Sequence, residues 1–230
     1  MKLDEIAAIM KNSGIAGAGG AGFPSYAKLD MRADTIILNC AECEPLFRLH
    51  RQLLASYADE IMAALNEIKN AVDAKRVIIG VKPSYKDAIK AVEYHLPSYN
   101  DFEISLLPEI YPAGDEIVLI YQTTGRVVKP GKLPISEGVT VFNVETMLNT
   151  YLALTEGKGV YEKYISVVGE VKEPMTLKVP LGMRFGDIIK LAGGTTVKDY
   201  ALLSGGAMTG RLADENTVVT KTTHAIMVLP

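Results

Sequence analysis

The chain has 230 residues, 48 % of them hydrophobic, enough to bury a substantial core in one large domain or two smaller ones. Its formal charge of −3 gives no electrostatic case for nucleic acid or an anionic membrane surface, and no apolar run approaches the span of a bilayer. Cys40 and Cys43 are the only cysteines, which excludes a disulfide framework and any four-cysteine zinc or iron–sulfur site built from this chain alone.

Leu3, Ile6, Ala7 and Met10 recur at helical spacing and predict a first helix. The stretch after it, Gly14 to Pro24, opens with five glycines in nine positions and alanines in most of the gaps. Such a segment cannot build a core, because ordering it costs backbone entropy and buries almost no side chain. It suits a bulky ligand lying flat on the backbone, and its free N–H groups suit an anion. It reads as a cradle for a nucleotide or flavin phosphate. On that reading a side chain added at Gly19 or Gly22 removes ligand binding and leaves thermal unfolding nearly unchanged. Gly17, Gly19 and Gly22 also spell the dinucleotide fingerprint G-x-G-x-x-G, with Glu42 near the expected acidic position. That fingerprint requires a strand before it and a helix after it, whereas here a helix precedes and Pro24 follows. A flexible linker is the remaining reading, but linkers favour serine and charge over alanine and phenylalanine.

Next come alternating elements. Thr35 to Leu38 predicts a strand, and Leu49 to Ile68 a long amphipathic helix whose charged run from Asp59 to Lys69 is its solvated face. Arg76 to Val81 predicts a second strand, and Ser84 to Val92 a helix capped by Ser84. Phe102 to Leu106 and Val139 to Phe142 predict two more strands, followed by helices over 115–122 and 144–153. Strand–helix alternation implies a largely parallel sheet with helices on its faces. The residues that packing does not explain then collect at one place, the carboxyl ends of the strands: Asn39 to Pro45, Leu107 to Glu116 and Asn143 to Thr146. Open α/β sheets bind ligands there. The site is expected at that rim, with the glycine loop folded over it.

After about Gly159 the pattern changes. Tyr164 to Val171 and Met175 to Val179 read as a hairpin, Arg184 to Leu191 as a helix closed by Gly193 and Gly194, and Tyr200 to Leu203 and Ala225 to Leu229 as further strands. That order suggests a small β-grasp-like domain. Its loop Ser204 to Gly210 reads as tight turns in preference to a ligand contact. His50, His95 and His224 have no sequence-level partner and read as surface residues. Cys40 and Cys43 form a C-x-x-C, but Glu42 and Glu44 disfavour their thiolates, so small buried packing positions are the simpler reading over a redox or metal role. Lys82 reads as part of a solvated face, with a phosphate contact as the alternative.

Taken in order, Gly17 to Phe23 with Lys28, Asn39 to Pro45, Tyr111 to Glu116 and Asn143 to Thr146 resemble the flavin-binding half of the NADH-oxidising subunit of respiratory complex I. They are most similar to the RnfC/PduS-type flavoproteins, the corrin (cobalamin) reductases and their counterparts in Rnf electron-transport complexes. The tail from Tyr164 looks like the soluble-ligand-binding β-grasp (SLBB) domain of those proteins. The resemblance implies an α/β fold with two domains. Residues 1–160 form a complex I flavoprotein-like, parallel-sheet FMN- and NADH-binding domain, and residues 161–230 a small SLBB β-grasp domain.

The implied function is flavin-dependent electron transfer. A non-covalently held FMN takes hydride from NADH and releases electrons singly to iron–sulfur (4Fe-4S) clusters, then to a corrinoid enzyme or other acceptor. The chain stops at Pro230, before the cysteine-rich segment of such relatives, so the clusters are expected on a missing segment or a partner protein. In the family's pattern Gly17, Gly19, Gly20, Gly22 and Phe23 form the flavin and nicotinamide cradle, and Lys28 neutralises phosphate or flavin charge. Asn39 hydrogen-bonds the isoalloxazine edge. Glu42, Glu44, Gly114, Asp115 and Glu116 line the nicotinamide and ribose region, and Asn143 and Thr146 sit at the FMN phosphate. No catalytic side chain and no metal ligand is expected, because the cofactor does the hydride chemistry and the protein supplies orientation and electrostatics. Ala41, Phe142 and Leu133 depart from the complex I pattern at flavin or NADH contacts, which makes the NADH expectation the weaker one. The expected location is the cytoplasm, including a bacterial microcompartment or the periphery of a membrane complex. Two rival functions stand beside this one: a non-catalytic module holding a partner protein or cobalamin, and an ordinary NAD-dependent dehydrogenase, which the helix-first context disfavours.

Overall fold

Four strands pair side by side, three of them rich in branched apolar residues and the edge strand β3 alternating: β1 (Thr35–Cys40), β2 (Arg76–Val81), β3 (Phe102–Leu106) and β4 (Val139–Asn143). All pairings are parallel and the order is β3-β2-β1-β4. Near-continuous apolar runs are what strands need when both faces of a sheet are covered. The helices around them are α1 (Leu3–Asn12), α2 (Leu49–Ser56), α3 (Ala58–Val72), α4 (Lys86–His95), α5 (Glu116–Thr124) and α6 (Val144–Glu156). Alternation along the strands sets the two faces. Ile37, Ile78, Val139 and Val141 share one face and take Leu119 and Ile120 of α5. The opposite set, Ile36, Leu38, Val77 and Ile79, is fully buried, and α3 packs with α1, α4 and α6. β2 and β3 lie to one side of β1 and β4 to the other, so the strand order reverses between β1 and β4. That is the topological switch point, the usual crevice for a ligand in an open parallel sheet.

This computed structural model describes residues 1–230 and divides them into two units. The sheet above belongs to the first, made of 1–17, 23–43 and 50–159. The second takes 160–230 and draws in two short stretches of the amino-terminal half, 18–22 and 44–49. It holds β5 (Glu162–Gly169), β6 (Met175–Pro180), β7 (Ala201–Ser204), β8 (Arg211–Ala213) and β9 (Ala225–Leu229), in the order β6-β5-β9-β7-β8. β5 and β9 run parallel at the centre and the other pairings are antiparallel. α7 (Phe185–Leu191) lays Phe185, Ile188 and Ile189 on Ile165, Val167, Leu202, Ile226 and Val228. The result is a β-grasp fold. Its other face buries Val168, Ala225 and Met227 under Phe47, which arrives in the 44–49 stretch.

Two local readings change. The long helix expected over 49–68 is two helices, because Tyr57 leaves helical geometry at φ −134° and ψ 34°. No glycine or proline marks that break, and the apolar stripe runs straight through it. Ser84 does not cap α4, whose N-cap is Tyr85. The Ser84 N–H instead donates to Glu109 Oε1 at 2.9 Å, tying the loop after β2 to the loop after β3. No helix is long and apolar enough to cross a membrane.

Candidate functional site

At the carboxyl edge of the first sheet, Asn39 ends β1 beside Asn143, its register partner at the end of β4. Both side chains are committed to holding backbone. Asn39 Oδ1 accepts the Ala41 N–H at 3.0 Å, and its Nδ2 donates to the Gly114 carbonyl at 2.8 Å. The Gly114 N–H donates to Cys43 Sγ at 3.0 Å, and a Cβ on Gly114 would overlap the Ala41 carbonyl oxygen. This glycine is therefore required by close approach, and it clamps the loop after β1 to the loop after β3. The next residue, Asp115, caps α5 by accepting the N–H groups of Ile117 and Val118 at 3.0 and 3.1 Å. Glu116 then accepts Lys28 Nζ at 2.8 Å, and the same ammonium donates to the Val141 carbonyl at 2.8 Å, with the Phe23 ring 5.9 Å away. Lys28, Asn39, Gly114, Asp115, Glu116 and Asn143 are thus gathered on one rim.

A buried polar network lies among these loops. Glu42 is only 6 % exposed. Its carboxylate accepts the His50 N–H at 3.0 Å and Arg51 Nε at 3.2 Å, while its carbonyl accepts Lys82 Nζ at 2.6 Å. The Arg51 guanidinium lies 3.9 Å from the centre of the Tyr85 ring. Burial, and then the Glu42 charge, push the Tyr85 phenol well above its ordinary range, and the same two causes in the same order raise the fully buried Cys40 thiol. Asn143 caps α6 through Oδ1, which accepts the Glu145 N–H at 2.9 Å, and its Nδ2 meets His50 Nε2 at 3.0 Å. Thr146, one turn into α6, is buried.

Two expectations are corrected here. His50 is buried rather than on the surface, and Lys82 is buried on a carbonyl rather than solvated. The signal for His50 was present: with Leu53, Leu54, Tyr57 and Ile61 it falls on one helical stripe.

Gly19, Gly20, Gly22 and Glu44 belong to the second unit. The glycine loop is closed at its base by an Ala16–Pro24 bridge and by the Gly17 N–H donating to the Phe23 carbonyl at 2.8 Å. Gly22 has φ +65°, and a Cβ there would lie 2.8 Å from the Thr222 methyl, so backbone conformation and packing within the protein already demand glycine. The Glu44 carboxylate accepts the N–H groups of Met208 and Thr209 at 2.9 and 2.8 Å and the Thr209 hydroxyl at 2.5 Å. The loop from Ser204 to Gly210 is the β7–β8 turn, shaped around that carboxylate.

Residues 10–152 match the family model described as the Nuo51 FMN-binding domain. The chain belongs to that family. Residues 164–212 of this Nuo51-type chain match the SLBB domain model. Among curated relatives it is 41 % identical over 222 residues to the cobalamin reductase PduS of Citrobacter freundii, covering 96 % of this chain and 49 % of that protein. It is 34 % identical over 215 residues to the C-type component of the Na(+)-translocating ferredoxin:NAD(+) oxidoreductase complex of Acetobacterium woodii, covering 91 % of this chain and 48 % of that one. These relatives are oxidoreductases or components of oxidoreductase complexes, and the Nuo51-type chain spans about half their length. A crystal structure of NAD+-reducing [NiFe]-hydrogenase in the H2-reduced state superposes with a TM-score of 0.81 over 99 % of this chain and 47 % of that chain. At 23 % identity that likeness is one of fold.

Proposed function

We propose that the first unit binds FMN at the rim where β1 and β4 part. The protein would use it to carry electrons from NADH to iron–sulfur centres on a further segment or partner protein, and on to a corrinoid or other acceptor. The supporting observation is the Asn39–Asn143 pair at the switch point, with the capped starts of α5 and α6 beside it, in a chain whose family is an FMN-binding domain.

The donors available there suit the group. The start of α6 offers backbone N–H groups and the positive end of a helix dipole to a phosphate, and Asn143 and Thr146 sit at that start. Lys28 brings a cation to the same rim, held meanwhile by Glu116. We assign Asn39 to the ring edge, Gly17 and Phe23 to the cradle, and Gly114, Asp115 and Glu116 to the nicotinamide and ribose side. Glu42 acts beneath them, as the strut that His50 and Arg51 hold. When bound, FMN supplies a two-electron acceptor for hydride and a one-electron donor to the next carrier. The chain's own task is to orient, to neutralise phosphate charge and to keep the rim rigid. The working place we assign is the cytoplasm, free or at the edge of a larger assembly.

Titration of the purified chain with FMN, followed by anaerobic addition of NADH, tests this reading. A yellow protein that bleaches with NADH is expected. A colourless protein that takes up no FMN would overturn the reading in favour of a binding or assembly module. Flavin uptake without bleaching would remove only the NADH arm.

A further inference from the structure

Asn143 has one amide orientation that satisfies its neighbours. Its Oδ1 accepts the Glu145 N–H as the cap of α6, so the Nδ2 end is the one 3.0 Å from His50 Nε2. An amide nitrogen can only donate. His50 Nε2 must then be the unprotonated, accepting ring nitrogen, and the ring proton sits on Nδ1. The imidazole is buried at 6 % exposure, and its backbone N–H is fixed on Glu42 Oε1, which Arg51 holds from the other oxygen. A chain of contacts therefore runs from Arg51 through Glu42 and His50 to Asn143 and the first turn of α6.

We propose that His50 is the positioning residue for the anion-holding end of the site. Its neutral imidazole pins the Asn143 amide, so that Oδ1 caps α6 and the second Nδ2 hydrogen, which no protein group engages, is held for a phosphate oxygen. The inference rests on the flavin reading above and deepens it, since the imidazole is the acceptor that holds the Nδ2 end of that amide. A residue at this position without an acceptor leaves Nδ2 unpartnered and the amide free to turn. A protonated Nε2 would set one donor against another. Glutamine is the informative substitution, because its side-chain carbonyl reaches about as far as Nε2 and accepts the same hydrogen.

The test combines nitrogen NMR of histidine-labelled, ligand-free chain with FMN titrations of the unaltered protein, His50→Leu and His50→Gln, each with a thermal unfolding curve. The expected result is an Nε2 resonance typical of an unprotonated ring nitrogen, FMN affinity about tenfold weaker in His50→Leu, and affinity within about threefold of the original in His50→Gln. A proton on Nε2 in the folded chain overturns the inference. So does a folded His50→Leu that binds FMN as the unaltered chain does, or a folded His50→Gln as weak as the leucine variant. If His50→Leu does not fold, the resonance and the glutamine variant decide between the same outcomes. No FMN uptake by the unaltered chain overturns the flavin reading, and this inference with it, whereas unchanged uptake in His50→Leu overturns this inference alone.

Discussion

Gly114 is held at two points, by the Cys43 sulfur on its N–H and by the Asn39 amide on its carbonyl, and a Cβ there would overlap the Ala41 carbonyl oxygen. Gly114→Ala is expected to destabilise the first unit by about 1–3 kcal/mol through overpacking, read as a lower urea midpoint, and to weaken FMN uptake. Cys43→Ser keeps an acceptor for the Gly114 N–H and should stay near the original stability, which Cys43→Val should not. Two buried acids give a pH dependence. Folding keeps Cys40 and Tyr85 protonated, while the unfolded chain releases those protons from its ordinary values of 9.0 and 10.0. The stability they carry is complete below about pH 9 and is lost as pH rises through 9 and beyond 10. Melting temperature should therefore fall in that alkaline window, and fall less steeply in Cys40→Ala or Tyr85→Phe. At this scale the sequence was partly legible. Asn39, Gly114 and Asn143 stood out because polar or small residues followed apolar runs. Glu42 stood out too, though as a lining residue and not as a buried strut, and His50 did not, because their partners lie at neighbouring strand ends and on a helix, where spacing alone does not pair them.

The regular elements were easier to read. A strand buried on both faces must be a short apolar run, and β1, β2 and β4 were found as such within a residue or two, while the edge strand β3 was found from its alternation of apolar and polar residues. The helix caps were not read as such: Ser84 was expected to cap and does not, whereas Asp115, read as the first helical residue, and Asn143, read as a phosphate contact, are the N-caps of α5 and α6. Nor was the break at Tyr57 legible, since tertiary packing imposes it without a breaker residue. Loops also carry conformation that composition hides. The glycine loop suggests a surface kept bare for a ligand, yet Gly22 sits at positive φ against Thr222 within the second unit. Gly22→Val should accordingly lower the unfolding temperature as well as any ligand affinity, contrary to the expectation of unchanged unfolding. Asn143→Ala removes the α6 cap and should cost about 1 kcal/mol, measured in urea.

For the molecule as a whole, a change of pattern near Gly159 was visible in the sequence, and the two family models meet on either side of it. The participation of 18–22 and 44–49 in the second unit was not visible, because neither stretch carries a periodic signal. Phe47 is 2 % exposed and closes one face of the β-grasp sheet over Val168, Ala225 and Met227. A fragment limited to 161–230 lacks it. Such a fragment should bind a hydrophobic dye and melt at lower temperature than the same unit in the full chain. A result in which the fragment melts as the full chain does would show that Phe47 is dispensable to that core.

The same borrowing has a temporal side. Ribosomes deliver a chain amino end first, and early segments usually begin to fold as they emerge. Here Phe47 and Glu44 emerge long before the strands and the turn that receive them, which span 160–230. During translation their native partners are therefore incomplete until β9, Ala225–Leu229, has been made. The nascent chain thus carries Phe47 ahead of its native β-grasp neighbours until β9 is made.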